Sequence, residues 1–66
     1  MLRLIPLRDV LARTGLKRST LYVRIGRGQF PKPVRLGPNR VGWVEQEVED
    51  WIRARIAERD GEEAAA

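Results

Sequence analysis

Glycine and proline break the first 42 residues of this 66-residue chain into short segments. Gly15 and Gly28 each follow a helical pattern and are expected to end it, because glycine is favoured just past a helix end. The run Phe-Pro-Lys-Pro at 30–33 cannot continue a helix, since proline lacks the N–H and restricts the residue before it. The run Gly-Pro-Asn-Arg at 37–40 is typical of a turn. These breaks predict two short helices followed by a β-hairpin.

The first two segments have the apolar period of amphipathic helices. They predict one helix over residues 6–14 and a second over residues 18–27. Gly15, in the turn between them, tolerates the positive φ that a tight reversal needs, and Leu16 is expected to be buried there. Two short helices joined in this way are the pattern of a helix-turn-helix, whose second helix enters the major groove of DNA.

Two short alternating segments flank the turn at 37–40 and predict a β-hairpin. Four apolar side chains are expected to form its inner face: Val34, Leu36, Val41 and Trp43. A hairpin after a helix-turn-helix is a wing, and a basic wing tip can lie on the DNA backbone or in a minor groove. The alternative is a plain hairpin that completes the core and carries charge for solubility.

The two ends of the chain complete a mainly α fold. Leu2 and Leu4 favour an extended segment, with a short N-terminal strand as one option. Helical spacing of apolar residues, with Trp51 on the packing face, predicts a third helix over 45–58. Residues 1–60 are therefore predicted to form one winged helix-turn-helix domain with three helices and a two-stranded wing. Residues 61–66 are expected to be a frayed tail, because nothing in the sequence anchors them.

Composition excludes several kinds of chemistry. The chain has no cysteine and no histidine, which removes disulfides, Cys/His zinc sites, thiol nucleophiles and imidazole acid–base catalysis. It shows neither a nucleophile–base pair nor a phosphate-cradling loop, so no enzyme, cofactor, metal or small-molecule ligand is expected. Its apolar runs are too short to span a membrane, and its first residues lack the features of a signal peptide. A cytoplasmic protein without a membrane partner is expected.

Charge is divided unequally along the chain. Residues 1–42 contain ten Lys or Arg against one acid, a net charge of +9. Residues 43–66 contain three Arg against eight acids, a net charge of −5. A polyanion is the expected partner of the first part, and the second part is expected to face away from it. A basic face that is merely solvated is the alternative.

The outward positions of the second helix are the candidates for reading bases. At about 100° per residue, Ser19, Tyr22 and Val23 point away from the core. We expect these residues and Arg18 to reach base edges, through hydrogen bonds from the polar groups and contact of the valine with a thymine methyl. The alternatives are a packing role for Tyr22 and an ordinary exposed apolar residue at position 23.

Basic and hydroxyl side chains around this helix are the candidates for phosphate contacts. They are Lys17, Thr20, Arg24, Arg27 and Lys32. The wing is predicted to contribute Arg35, Asn39 and Arg40. Lys17 stands where the N-cap of the second helix is expected, and lysine cannot accept the free N–H groups there. Either Ser19 caps the helix, or those N–H groups stay free for a phosphate.

A set of short motifs lies between residues 14 and 52, within a resemblance to known proteins that covers about residues 3–57. They are Thr14-Gly15-Leu16, Arg18-Ser19-Thr20-Leu21-Tyr22, Phe30-Pro31-Lys32-Pro33-Val34, Val41-Gly42-Trp43, Glu47-Val48 and Trp51-Ile52. This set closely resembles the AlpA family of short prophage-type DNA-binding regulators. The resemblance implies a winged helix-turn-helix of the MerR-like or excisionase-like kind, with its recognition helix at 18–27 and its wing at 34–43. Family members often have serine where this chain has Lys17, which adds a charge here.

The resemblance implies a sequence-specific double-stranded DNA-binding protein that regulates genes of phages or mobile elements. One alternative is an excisionase-like factor that bends attachment-site DNA. An alternative of another class is a small protein-interaction adaptor that uses the acidic start of the third helix. Because a module of 66 residues contacts about one half-site, a homodimer or cooperative binding to adjacent sites is expected.

Overall fold

A computed structural model describes residues 1–65, with side chains up to residue 61. This part of the chain forms three helices and three short strands. Their bounds are β1 Leu4–Ile5, α1 Leu7–Thr14, α2 Arg18–Gly26, β2 Val34–Gly37, β3 Arg40–Val44 and α3 Glu45–Ala65. The mainly α class with a small hairpin is confirmed, and so is the N-terminal strand that the sequence left as an option. None of the described helices is long and apolar enough to cross a membrane.

The turn between α1 and α2 has the conformation that its sequence predicts. Gly15 adopts φ 72°, and its N–H donates to the carbonyl of Leu11 at 2.8 Å, which closes the end of α1. The hydroxyl of Thr14 donates to the carbonyl of Val10 at 2.9 Å. The same oxygen accepts the N–H of Leu16 at 3.3 Å. These bonds set the angle at which α2 leaves α1.

Gly15 and Gly26 provide a matched pair of alanine substitutions with opposite expected effects on stability. At both positions an added Cβ would meet no described atom within 4 Å, so only the backbone differs. Gly15→Ala is expected to destabilise the protein by about 1–2 kcal/mol, because an L-residue is strained at positive φ. Gly26→Ala, at the end of α2, is expected to stabilise it by about 0.5 kcal/mol. Urea denaturation followed by circular dichroism measures both, and a stabilising Gly15→Ala would contradict the assigned turn.

The core is assembled from every element except β2. Its buried side chains are Ile5, Val10, Leu21, Phe30, Trp43 and Val48. Trp43 also donates its indole N–H to the carbonyl of Pro31 at 3.0 Å, which attaches the proline-rich loop to the sheet. Each helix contributes a buried residue to the same cluster, so α2 is held in place by long-range packing rather than by its own propensity.

The sheet has the strand order β1-β3-β2, and both pairs are antiparallel. Arg35 lies opposite Val41, and Val34 lies opposite Gly42. The register shifts between Arg35 and Gly37, so Leu36 is an extra residue on β2. A bulge of this kind leaves one residue unpaired and bends its strand.

The predicted inner face of the hairpin is wrong for Val34 and Leu36, while Val41 shares the face of Trp43 but is exposed. Val34, Leu36 and Val41 are 40%, 51% and 37% exposed, whereas Trp43 is fully buried. A four-residue turn at 37–40 would place Leu36 opposite Val41. Because of the bulge, Arg35 lies opposite Val41 instead. A shift of one residue places Val34 and Leu36 on the face opposite to Trp43. There Leu36 packs over Gly42, where an added Cβ would lie 3.1 Å from its Cδ1 atom.

The third helix is longer than predicted. It begins at Glu45 as expected, but its backbone stays helical to Ala65 instead of ending at residue 58. The tail predicted at 61–66 therefore continues the helix wherever its backbone is described. Ala66 and the side chains of 62–65 lie outside the described residues. The helix starts at the end of β3, and the N–H of Glu45 donates to the carbonyl of Arg3 at 2.7 Å.

Candidate nucleic-acid interface

The outward face of α2 is exposed as its spacing predicts. Tyr22 is 41% and Val23 50% exposed, and the side chains of Ser19 and Thr20 are exposed as well. Leu21 is fully buried beneath them, so the helix is anchored from one side only. The packing alternative for Tyr22 is met in part, because more than half of its surface is covered. A half-covered ring has its position fixed and still presents an edge and a hydroxyl to a ligand.

A concave cleft of about 760 Å³ separates α2 from the wing. One wall carries Arg18 and Tyr22, and the other carries Asn39 and Arg40. Asn39 adopts φ 59° at the wing tip, a left-handed conformation that asparagine tolerates better than most residues. The fold therefore brings together four predicted site residues that come from two separate motifs. No acidic side chain lines this cleft in the part of the chain that the structure describes.

Arg8 lines the same cleft and was missed by the sequence analysis. It lies in the first turn of α1, and its side chain is almost fully exposed at 3.9 Å from the carboxylate of Asp9. None of the residues predicted to contact DNA lies on α1. The available signal was a basic residue outside the apolar face of that helix.

A second, shallower depression lies along α2. It is lined by Ser19, Thr20, Val23, Arg24, Arg27 and Gln29. Five of these residues were predicted to contact DNA, and Gln29 was not. Here too the lining contains no carboxylate, as far as the chain is described. The surface of α2 is thus basic and polar over both of its lateral sides.

Three predicted residues lie outside both concave surfaces. Lys32 and Arg35 are exposed on the loop and on β2. Lys17 is the N-cap of α2, with φ −78° and ψ 153°, and no side chain caps the helix within the described structure. Ser19 lies inside the helix, so its predicted alternative role as the cap is wrong. The first N–H groups of α2 are left without a side-chain acceptor and carry the positive end of the helix dipole.

Arg24 is held against α3 instead of extending freely. Its Cζ atom lies 5.9 Å from the centroid of the Trp51 ring, within the range of a cation–π contact. The indole N–H of Trp51 donates to the carbonyl of Gln29 at 2.7 Å. The N–H of Gln29 donates in turn to the carbonyl of Arg24 at 2.8 Å. The end of α2 and the middle of α3 are therefore joined through one indole ring.

The ion pairs among the described side chains lie within α1, within α3 and between these two helices. Arg13 on α1 binds Glu45 at 2.7 Å and approaches Glu49 at 3.9 Å, so these two acids of α3 are neutralised locally. The basic residues of α2 and the wing have no acidic partner among the described side chains. Their charges stay uncompensated, and such a surface attracts a polyanion.

Comparison with known proteins finds a matching family model and similar proteins from a phage and a bacterium. Residues 3–56 match the family model described as the prophage CP4-57 regulatory protein, AlpA. The chain is 42% identical over 57 residues to the uncharacterized protein ORF88 of Enterobacteria phage P4; the match covers 86% of this chain and 65% of that protein. It is 34% identical over 59 residues to a protein of Escherichia coli strain K12 named DNA-binding transcriptional activator AlpA, with 80% and 84% covered.

The chain thus spans about 65% of the length of the phage P4 protein and most of the length of the E. coli protein. The family model covers all three strands, α1, α2 and the packed first half of α3. Every residue lining the cleft and the depression lies inside the matched region. By this match, the chain belongs to the AlpA family of prophage regulatory proteins.

Proposed function

We propose that this protein is a sequence-specific double-stranded DNA-binding regulator of phage or mobile-element genes that acts in the cytoplasm. The observation that carries the proposal is the cleft in which Arg18 and Tyr22 of α2 face Asn39 and Arg40 of the wing. An exposed helix and a basic wing tip that line one surface, with no acidic side chain among its described residues, suit a polyanion, and the second helix of a helix-turn-helix is the element that enters the major groove.

In this proposal α2 lies in the major groove. An α-helix with its side chains is about 10–12 Å across, and the major groove is about 12 Å wide. Ser19 then donates or accepts at a base edge, and Val23 contacts a thymine methyl. Asn39 and Arg40 reach the adjoining backbone or minor groove, where an asparagine or arginine can bind phosphate or bases.

Two further observations support a DNA partner. The E. coli relative is named a DNA-binding transcriptional activator. The acidic start of α3 suggested a protein-interaction adaptor. Part of its negative charge is neutralised, because Glu45 and Glu49 form ion pairs with Arg13. A surface that is already ion-paired within its own chain offers less charge to a partner protein than the unpaired cations of α2 and the wing do.

Selection of bound duplexes from a random pool is expected to yield one preferred site. Fluorescence anisotropy should then show tighter binding to that site than to a scrambled duplex by about 10³-fold or more. Each bound chain should contribute about −3.6 to −4.5 to the slope of log K against log salt, because each of about four or five phosphate contacts contributes about −0.9. We further propose that two copies bind, so the selected site should contain two half-sites and sedimentation should show two chains per duplex.

Two results would contradict this function. Equal affinity for every duplex would remove the sequence-specific part, and binding that does not change with salt would remove the phosphate contacts. A single half-site occupied by one chain would contradict only the proposed stoichiometry.

A further inference from the structure

The side of α2 away from the wing carries a second basic group that includes a residue of α3. We propose that Arg55, together with Arg24 and with Trp51 beneath both, binds the phosphate backbone of the DNA strand opposite to the one that the wing contacts. This inference rests on the proposed function, and it makes α3 part of the DNA interface.

A helix in the major groove lies between two phosphate strands, so phosphate contacts are expected on both of its flanks. At about 100° per residue, Arg24 lies on the opposite flank of α2 from Tyr22 and Arg18. The wing tip stands on the Tyr22 flank, where it lines the cleft. Arg24 therefore lies on the flank of α2 that faces away from the wing.

Trp51 positions Arg24 on that flank. The indole ring lies under the Arg24 guanidinium, and its N–H is bonded to Gln29 at 2.7 Å. The ring also meets Phe30 edge to face, with centroids 4.9 Å apart, which attaches it to the core. A guanidinium held in this way loses less conformational entropy when it binds than one on a free side chain does. Trp51 is thus a positioning residue that acts through Arg24.

Arg55 lies on the same ring. Its Cζ atom is 5.2 Å from the Trp51 centroid, closer than that of Arg24. Its Nε atom is buried, without a hydrogen-bond partner among the described residues, and its Nη2 atom donates to Glu58 at 2.8 Å. The side chain as a whole is 39% exposed. The Nε side of the guanidinium is thus covered by the protein, while the rest of the group stays near the surface.

The surface around these two arginines is continuous. Gln29 lines both the depression along α2 and a neighbouring one that contains Trp51 and Arg55. Neither depression is lined by a carboxylate in the described structure. Two guanidinium groups thus share one aromatic ring. Arg55 is ion-paired with Glu58 and Arg24 has no acidic partner among the described side chains, so two cations stand against one acid and the group has a net charge of +1. The Nε of Arg55 is buried and its Nη2 donates to Glu58, so its Nη1 is the group that remains for a phosphate oxygen, while the ring beneath positions the charge.

Arg55→Gln tests this inference, with Arg53→Gln as its matched control. Both substitutions remove one positive charge from α3. Arg53, however, is 71% exposed beside Asp50, and it does not face Trp51, because residues two positions apart point to different sides of a helix. We expect Arg55→Gln to weaken binding to the selected duplex by about tenfold and to reduce the salt slope by about 1. Arg53→Gln should leave the slope unchanged. Arg55→Lys, which keeps the charge, should keep most of the slope.

The outcomes separate this inference from the proposed function. If the unsubstituted protein binds its site with the expected salt dependence while Arg55→Gln and Arg53→Gln behave alike, the inference is wrong and the proposed function stands. If the unsubstituted protein binds no duplex, both are wrong. A loss of affinity in Arg55→Gln with an unchanged salt slope, or one that Arg55→Lys shares in full, would assign Arg55 a structural role and overturn the inference. Thermal unfolding by circular dichroism, run on each variant, verifies that the variant is folded.

Discussion

Trp43→Ala is expected to leave most of the protein unfolded at 25 °C. The side chain is fully buried on β3, and its indole N–H is bonded to the carbonyl of Pro31 at 3.0 Å. Replacing a buried tryptophan by alanine costs about 3–5 kcal/mol, from lost burial and the cavity that is left. A single core in a domain below about 70–80 residues rarely supplies more than ~3–5 kcal/mol in total. The loss is therefore comparable to the whole stability of this 66-residue chain.

Urea denaturation followed by far-ultraviolet circular dichroism measures this effect. Trp51→Ala is the control, because it makes the same change at a ring that is only partly buried. We expect it to cost less than Trp43→Ala and to leave a cooperative unfolding transition. A Trp43→Ala protein with the native spectrum and an unchanged midpoint would show that the assigned core is wrong.

The double substitution Arg18→Ala with Arg40→Ala is expected to weaken binding to the selected duplex by about 100-fold. The two residues stand on opposite walls of the cleft and have no ion-pair partner among the described side chains. Each is expected to cost about tenfold alone, and the losses should add because the residues belong to separate elements. The salt slope should fall by about 2 if both side chains contact phosphate, and by about 1 if one of them reads a base.

Fluorescence anisotropy over a range of salt concentrations measures both the affinity and the slope. Arg53→Ala is the control for charge, since it removes a cation from an exposed site on α3. Circular dichroism should be native for the single and double variants, because Arg18 and Arg40 are exposed. Folded variants that keep the full affinity would show that the cleft is not the DNA site. The result for Arg18 alone also decides between its predicted role at a base edge and a role on the backbone.

Local signals in the sequence predicted most elements well. Gly15 adopts the positive φ that was expected, and α2 begins at Arg18 as the pattern indicates. Helix ends and turns are decided by a few neighbouring residues, so a sequence read without contacts can locate them. The end of α3 was missed, because the charged and alanine-rich segment after residue 58 has no apolar face to reveal a helix. Asp60 and Gly61 are also poor helix formers, so local propensity did not predict the continuation either.

The hairpin shows where local reasoning fails. The turn residues at 37–40 were found, but the bulge at Leu36 was not, and one extra residue reverses the face of Val34 and Leu36. Register depends on how β3 packs between β1 and β2, and the turn motif alone does not encode that. The role of Trp51 was also only half predicted. Its packing function was expected from the helical period, whereas its contact with Arg24 joins residues 27 positions apart.

Residue types and short-range patterns were enough to predict the segments of the fold and the distribution of charge. Both follow from residue type and from neighbours within one helical turn, through glycine, proline and the apolar period. Which charges lie on the same surface depends on the tertiary fold. It set Arg18 opposite Arg40 across a cleft, added Arg8 to that cleft, and placed Arg24 and Arg55 on one indole ring. Such contacts join residues distant in the chain, and they depend on how Trp43, Phe30 and their neighbours fill one small core.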